Sequence, residues 1–426
     1  MKHKADIKTI IILGLACFDN YFGAGNQIFP PYLGLTTGKS WFIAFLLFIL
    51  VDAGLAVLCL VASARKGNGF TGVVDRLGSK LTPVVLFANA LCLGPLIAVP
   101  RTAATTYSLT FTPLFPGVSS WLVSGVFMAV VAFLCLKPSK VVDAIGQYMA
   151  PILVVGLAIL VAKGVFVLAD NPIIGDIGTV PSLKEGLTAG YQTMDMLGSA
   201  LFCSMLLISL DSKNIDENDR VRTLSLAGVV AFVCLFSVYM GICFLGVKVT
   251  GQFTTDITQA ELLVAITDLI LGKAGTVLLG IIVLLACMTT AVGLTSSCAD
   301  TFRIIFRKED KYPQIVVLCC LLSFVLANIG LSNIIALAAP ILEVLYPVIL
   351  ICVVMSFFPE EKRFRESAKV GALIAAGIAI YTQVDLFTAA SLGSASLPLY
   401  DLGLSWVLPA AAGTVLNLLV TKDRKA

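Results

Sequence analysis

The sequence DNYFGAGNQIFPP, residues 19–31, interrupts the first apolar stretch of the chain, which covers residues 7–35. An Asp and two Asn are costly in hydrocarbon, two glycines weaken a helix, and two consecutive prolines remove two backbone donors. We predict a helix broken near residues 23–26, because interrupted backbone at membrane depth is tolerated only inside protein or beside a wet cavity. Transporters hold solutes and ions at such breaks. A continuous helix, kinked by its prolines and packed closely through its glycines, is the alternative.

The composition predicts an all-α polytopic membrane protein. The chain has 426 residues, of which 58% are hydrophobic and 13% charged, and its mean hydropathy is +0.98. Soluble domains average about 25% charged residues. At about 20 apolar residues per span plus loops, the length fits a single transmembrane domain, residues 1–426, with about 12 helices.

The distribution of charge predicts the orientation. Most of the 29 Lys and Arg residues cluster in alternate loops and near both ends of the chain. By the positive-inside rule these segments face the cytoplasm, so both termini lie inside and the number of spans is even. The basic clusters are short and lie beside the membrane, which indicates contact with lipid and no nucleic-acid partner. The sequence gives no indication of an oligomeric state.

A second polar interruption lies in the sixth predicted span, residues 187–210, where GYQTMDMLGS covers residues 190–199. With both termini inside, the first and sixth spans run in opposite directions. A five-plus-five inverted repeat, residues 7–168 and 187–357, predicts that pairing, with the solute site between the two broken helices. Residues 369–420 then form two additional helices outside the repeat.

The first break offers a site for a carboxylate. The N-terminus of a half-helix presents free N–H groups and the positive end of a dipole. Gly23, Ala24, Gly25 and Asn26 are therefore candidates to bind the carboxylate of a substrate. Asp195, in the middle of the sixth span, is a candidate functional acid, because ionisable groups in membranes are costly. Its alternative role is a structural hydrogen bond between helices.

The same break offers carbonyl oxygens to a small cation. The carbonyl groups of Asp19 and Phe22 are candidates to hold Na⁺, and Ser296 and Ser297 of the eighth span could complete the site, since hard cations prefer oxygen ligands. Asp19 could also titrate. For the serine pair, local backbone hydrogen bonding or helix packing is the alternative.

Three further polar residues lie in apolar spans. Asp52 and Glu343 could be packing, gating or protonation sites. Arg101 lies about 20 residues into the third span, roughly 30 Å from the inner face at the rise of a straight helix. We therefore expect it in an outer vestibule, as part of a gate ion pair or as an anchor at the interface.

The sequence argues against an enzyme. His3 is the only histidine, which excludes histidine relays and Ser-His-Asp catalysis, and we assign no catalytic residue. A membrane enzyme would need two facing acids, and no spacing of acids in the sequence predicts such a pair. The twelve cysteines are scattered through apolar segments and are interpreted as small buried hydrophobes.

Five segments, found in order along nearly the whole chain, resemble the bacterial branched-chain amino acid:cation symporter family. They are FGAGNQIFPP (residues 22–31), GPLIAVPRTA (94–103), GYQTMD (190–195), TAVGLT (290–295) and NIGLS (328–332). The resemblance implies a leucine-transporter-type fold with helices 1 and 6 broken, in the bacterial inner membrane. It also implies uptake of leucine, isoleucine and valine coupled to Na⁺ or H⁺, with no other cofactor.

The resemblance also assigns site residues. Residues 23–26 with Thr193, Met194 and Asp195 would line the substrate site. Phe22, Gly293, Ser296 and Ser297 match a cation site between the first and eighth helices. A symporter of the same fold for another small neutral amino acid, or a membrane-embedded amino-acid sensor, is the alternative function.

Overall fold

The computed structural model describes residues 4–67, 69–136, 140–212, 215–388 and 392–421, and the elements of these residues are helices with no β-strand among them. We name fourteen helices in chain order. They are α1 (Ile7–Tyr21), α2 (Ala24–Thr37), α3 (Trp41–Lys66), α4 (Gly69–Leu114), α5 (Ser120–Leu136), α6 (Lys140–Val167), α7 (Thr179–Thr193), α8 (Asp195–Ser212), α9 (Glu217–Lys248), α10 (Gln259–Phe306), α11 (Tyr312–Ala327), α12 (Leu331–Met355), α13 (Lys362–Thr388) and α14 (Val407–Val420).

These helices form a bundle of membrane spans. Seven helical segments are long and apolar enough to cross a membrane, α7 and α8 together making one of them, and the bent pair α1–α2 adds an eighth. Shorter apolar helices in α5, α6, α11 and α14 bring the candidate spans among the described residues to twelve. The prediction of an all-α polytopic fold with about 12 spans is confirmed.

The first span is broken where the sequence predicted it. α1 ends at Tyr21, α2 begins at Ala24, and the two axes differ in direction by 73°. Gly23, with an extended backbone, is the N-cap of α2. The two prolines lie well inside α2 and the helix continues through them, so the alternative of a proline-kinked continuous helix was wrong.

The sixth span is also broken. Met194 separates α7 from α8 in a left-handed conformation, with φ 66° and ψ 17°. α7 begins at Thr179, earlier than the predicted start of the span, because residues 179–186 looked like part of an outer loop. Pro181 is tolerated there, since it lies in the first turn, where its missing N–H is not needed.

Two other spans are distorted in ways that the sequence did not predict. α3 contains a π-helical turn at Leu50–Gly54, which holds Asp52. α4 contains a π-helical turn at Cys92–Leu96, in which Gly94 has non-helical angles of φ −86° and ψ −116°. These distortions decide where Asp52 and Arg101 lie.

The core of the bundle is closely packed around α2. A Cβ atom on Gly34 of α2 would lie 2.1 Å from the carbonyl oxygen of Cys243 in α9, and a Cβ on Gly246 of α9 would lie 1.9 Å from the oxygen of Pro31.

The twelve cysteines are free thiols, and all except Cys234 are buried. The division of the chain into two inverted repeats and two extra helices stays a prediction.

Candidate functional site

The two helix breaks line one cavity at the centre of the bundle. The break in the first span contributes Gly23, Ala24 and Asn26, and the break in the sixth contributes Thr193, Met194 and Asp195. Six of the seven predicted substrate residues therefore meet. The seventh, Gly25, is buried behind them in the first turn of α2. The cavity is also lined by apolar side chains: Leu93 of α4, Phe202 of α8 and Leu294 of α10.

The start of α2 gives the cavity a positive end. Because Gly23 is the N-cap, the N–H groups of Ala24, Gly25 and Asn26 belong to the first turn and have no acceptor within their own helix. The helix dipole adds partial positive charge at the same place. A carboxylate bound there would receive hydrogen bonds and electrostatic stabilisation together.

Arg101 lies between the two breaks, and not in the outer vestibule that we expected. Its side chain is buried, and its guanidinium donates hydrogen bonds to the backbone oxygens of Gln192 and Thr193, the last carbonyls of α7. It also lies against the start of α2, because a Cβ on Gly25 would be 2.9 Å from its Nη2 atom. The distance estimate failed because it assumed a straight helix, whereas α4 changes course at Gly94 before it reaches Arg101.

One nitrogen of the Arg101 guanidinium makes no hydrogen bond with the described protein groups. The Nε atom of Arg101 is buried and has no hydrogen-bond partner among the described protein groups. The ring of Phe29 lies 5.8 Å from the guanidinium carbon, which shields the group from water on that side. Arg101 thus presents a desolvated positive charge next to the free amides of α2. Its position depends on the bend in α4, whose direction could not be predicted from the residues alone.

The side chain of Asn26 donates hydrogen bonds to two buried carboxyl groups, those of Asp52 and Asp195. The Nδ2 atom of Asn26 donates to Oδ2 of Asp195 at 2.9 Å and to Oδ1 of Asp52 at 3.4 Å. Asp52 is 0% exposed, Asp195 is 7% exposed and Arg101 is 3% exposed. The sequence did not predict paired acids, because Asp52 reaches Asp195 from the π-helical turn of α3. This pair corrects the expectation that no two acids face each other.

The contacts seen for three of the predicted sodium ligands are with residues outside the predicted set. Phe22 stacks its ring on Phe18, with ring centroids 5.4 Å apart. The Oγ atom of Ser296 lies 3.4 Å from the sulfur of Cys135, and the carbonyl of Ser297 accepts a hydrogen bond from Thr301. The predicted ligands, none of which is among the residues that line the cavity, are Asp19, Phe22, Gly293, Ser296 and Ser297.

The eighth span approaches the first break through a different residue. The methyl carbon of Thr290 in α10 would lie 3.7 Å from a Cβ on Gly23, and its buried hydroxyl has no partner among the described groups. Glu343 lies elsewhere, since it accepts a hydrogen bond from Gln383 of α13. Thr290 was not predicted from the sequence, although the adjacent hydroxyl groups of Thr289 and Thr290 in an apolar span were a usable signal.

A sequence model described as a branched-chain amino acid transport protein matches residues 6–424. The chain belongs to that family. A branched-chain amino acid permease of Bacillus subtilis, BraB, is 33% identical over 440 residues, which cover 99% of this chain and 97% of the relative. A Staphylococcus aureus protein named as a branched-chain amino acid carrier is 31% identical over 436 residues, covering 97% and 96%.

Solved structures of transporters share the fold of this family member. MhsT, in complex with L-phenylalanine, superposes with a TM-score of 0.61 at 15% identity, covering 98% of this chain and 99% of MhsT. A Na⁺-coupled sialic acid symporter gives 0.60 at 12% identity, covering 97% and 90%. Mhp1, a nucleobase-cation-symport-1 family transporter, gives 0.59 at 14%, covering 96% and 91%. These likenesses show a leucine-transporter-type fold. Membership of the branched-chain amino acid transport family, together with the spans of the bundle, identifies a multi-pass membrane transporter and not an enzyme.

Proposed function

We propose that this transporter is a symporter of the bacterial inner membrane that imports leucine, isoleucine and valine, coupled to Na⁺ or H⁺. One observation carries the proposal. Within a member of the branched-chain amino acid transport family, the two helix breaks enclose a cavity that combines a positive group, a buried acid and an apolar wall. Those three features match the carboxylate, the ammonium group and the side chain of an aliphatic amino acid.

In the proposed complex the substrate carboxylate binds the first-turn amides of α2 and the guanidinium of Arg101. The ammonium group binds the carboxyl group of Asp195, which lines the same cavity and accepts a hydrogen bond from the side chain of Asn26. The side chain packs on Leu93, Phe202 and Leu294. An apolar wall distinguishes side chains that differ by one methylene by only about 1–3 kcal/mol. Leucine, isoleucine and valine should therefore compete for one site.

Transport follows from movement of the broken helices. α1–α2, α3, α7–α8 and α9 would rock against the rest of the bundle and expose the cavity to one side at a time. The positive-inside distribution of charge supports an orientation with both termini in the cytoplasm. Sodium held by Asp19, Phe22, Gly293, Ser296 and Ser297 stays part of the proposal.

The test is uptake of labelled leucine into proteoliposomes under an imposed Na⁺ gradient and, separately, an imposed H⁺ gradient. We expect accumulation with at least one gradient, and competition by isoleucine and valine but not by lysine or glutamate. Liposomes without protein are the control. Leucine binding without accumulation or exchange would instead indicate a sensor, and uptake of only alanine or serine would indicate a transporter of another small neutral amino acid. No binding and no uptake would overturn the proposal.

A further inference from the structure

The cavity holds an unequal number of buried charges. Asp52 and Asp195 can each carry a negative charge, and Arg101 carries one fixed positive charge. A zwitterionic amino acid adds no net charge. Burying an uncompensated charge is strongly unfavourable. A closed, dehydrated cavity with both acids ionised would therefore be unstable, and one more positive charge would make it neutral.

We propose that Asp52 and Asp195 share one proton across Asn26, and that this proton is the ion whose movement drives transport. The proposal rests on the symporter function proposed above and assigns its coupling site. It concerns residues other than the predicted sodium ligands.

The geometry favours a proton over a metal cation between the two acids. One N–H₂ group, from Asn26, donates to an oxygen of each carboxyl group, at 2.9 Å and 3.4 Å. Its hydrogen atoms therefore occupy the space between the acids, and they would repel Na⁺. Two buried carboxyl groups that accept hydrogen bonds from the same amide keep one proton on one of them, because ionising both would place two like charges side by side without water. The second oxygen of Asp52 is buried without a donor among the described groups, and a carboxylic O–H is a donor that the pair itself can supply.

The groups around the pair do not replace that proton. The titratable side chains that face it are Arg101 from α4 and the phenols of Tyr21 (α1), Tyr239 (α9) and Tyr346 (α12). Phenols are uncharged near neutral pH. The thiols of Cys59 and Cys92 lie beside Tyr21 and Arg101. Asp19 is half-buried on α1 and does not line the cavity. Arg101 is therefore the positive charge that faces the pair.

The shared proton would couple binding to closure. With the proton in place, the pair carries one negative charge, Arg101 carries one positive charge, and the cavity with a zwitterion is neutral and can close. Without it, the cavity keeps a negative charge and stays hydrated. A proton taken from the outer solution onto the pair would travel with the substrate and be released to cytoplasmic water when the cavity opens inward. The hydrogen bond from Asn26 to Asp195 joins the first turns of α2 and α8, which both belong to the moving group of helices.

The first experiment measures proton uptake directly. Leucine is added to the purified, detergent-solubilised transporter in weakly buffered, Na⁺-free solution containing a pH dye, at a pH where the empty pair is ionised. We expect up to one proton taken up per leucine bound, and an apparent leucine affinity that falls by up to tenfold per pH unit in the alkaline range. Leucine binding with no proton uptake at any pH between 5 and 9 would overturn the proposal. This measurement needs no variant.

The second experiment uses Asp52→Asn, which is neutral and has nearly the same shape. Proteoliposomes with this variant should lose leucine accumulation driven by a pH gradient, and the leucine binding that remains should no longer vary with pH. Glu343→Gln, a half-buried acid paired with Gln383 away from the cavity, is the matched control and should behave as wild type. Accumulation by Asp52→Asn under a pH gradient, or wild-type accumulation that requires Na⁺ and ignores pH, would refute the shared proton while leaving the symporter function standing. Absence of leucine binding and exchange in the wild type would overturn both proposals.

Discussion

At the scale of single residues, Arg101 determines the character of the cavity. Its guanidinium donates hydrogen bonds to the carbonyl end of α7 and lies against the amide end of α2. The carbonyl end of a broken helix attracts cations. In this protein a side chain from α4 supplies that cation permanently.

Arg101→Lys tests this role. Lysine keeps the charge but lacks the planar fork that reaches two carbonyls and a carboxylate at once. Loss of one charge-assisted hydrogen bond is worth about 1.5–3 kcal/mol, so leucine affinity, measured by equilibrium binding, should fall about 10- to 100-fold. The matched control is Arg76→Lys, because Arg76 is also buried and also donates to two backbone oxygens, those of Phe358 and Pro359. Equal affinity in the two variants would contradict the role of Arg101.

Gly25 tests how closely α2 approaches that guanidinium. A Cβ at this position would lie 2.9 Å from both Nη2 of Arg101 and the ring of Phe29. Gly25→Ala should weaken leucine binding about tenfold by displacing Arg101, and Gly25→Val should abolish it. Gly377→Ala is the control, because its Cβ would meet no atom within 4 Å. Wild-type leucine affinity in Gly25→Val would show that the approach is unimportant.

These residues could be predicted only where the evidence for them lay in the neighbouring sequence. Asp195 and residues 23–26 could be found because polar groups and glycines stand out in apolar sequence. Asp52 and Arg101 could not be placed, because their positions depend on π-helical turns at Leu50–Gly54 and Cys92–Leu96. A single change in helical register moves a side chain to another face. The pair Gly94-Pro95 indicated a break in α4, but the residues alone did not predict the direction in which the helix turns.

At the scale of helices, the interface between α2 and α9 is a backbone contact. Gly34 and Gly246 bring the two helices together so closely that an added Cβ would meet carbonyl oxygens at 2.1 Å and 1.9 Å. Backbone atoms cannot turn aside as a flexible side chain can. The helix that starts at the first break is therefore held rigidly against α9.

Gly246→Ala should lower the Tm of the purified protein and reduce the yield of monodisperse material. The methyl group can be accommodated only if α2 and α9 separate, and overpacking of this kind costs about 1–3 kcal/mol. Gly377→Ala replaces a glycine within a helix without a clash and should leave the Tm unchanged or raise it. Equal Tm values for both variants, measured by differential scanning fluorimetry, would count against the interface described above.

At the scale of the whole molecule, one contact joins two parts that the proposed movement separates. Glu360, which follows α12, pairs with Lys66 at the end of α3, and its Oε1 lies 3.6 Å from Nη2 of Arg76. The hydrogen bond from Lys66 and the nearby charges of Lys66, Arg76 and Arg365 hold the pKa of Glu360 below its usual range. A lowered pKa means that the contact is complete above the ordinary glutamate range and is lost only as the pH falls through the lowered value.

Glu360→Gln should therefore favour the state that opens at this end of the bundle. Because Glu360 is largely exposed, the pair is worth at most about 1 kcal/mol, so the open-to-closed ratio should rise no more than about fivefold. Hydrogen–deuterium exchange of the amides of α1 measures this ratio at neutral pH. Glu366→Gln, an exposed acid lining the same end, is the control. Unchanged exchange in Glu360→Gln would mean that the contact does not restrain the movement.

The fold class was predictable at this scale, because mean hydropathy and alternating charge report on spans directly. The start of α7 was not, since glycines and prolines before it resemble a loop until the first helical turn forms around them. The sodium ligands of α10 stay a prediction for a related reason. Their residue types suit a cation, but the hydroxyl group of Ser296 forms a hydrogen bond with the sulfur of Cys135.

The packing of the native thiols has a practical consequence. Because all of them except Cys234 are buried, a maleimide that cannot cross lipid should react slowly with the wild-type chain. A reporter cysteine could then be installed along the route of the substrate and interrogated from either compartment, without first removing the sulfur atoms that help to fill the core.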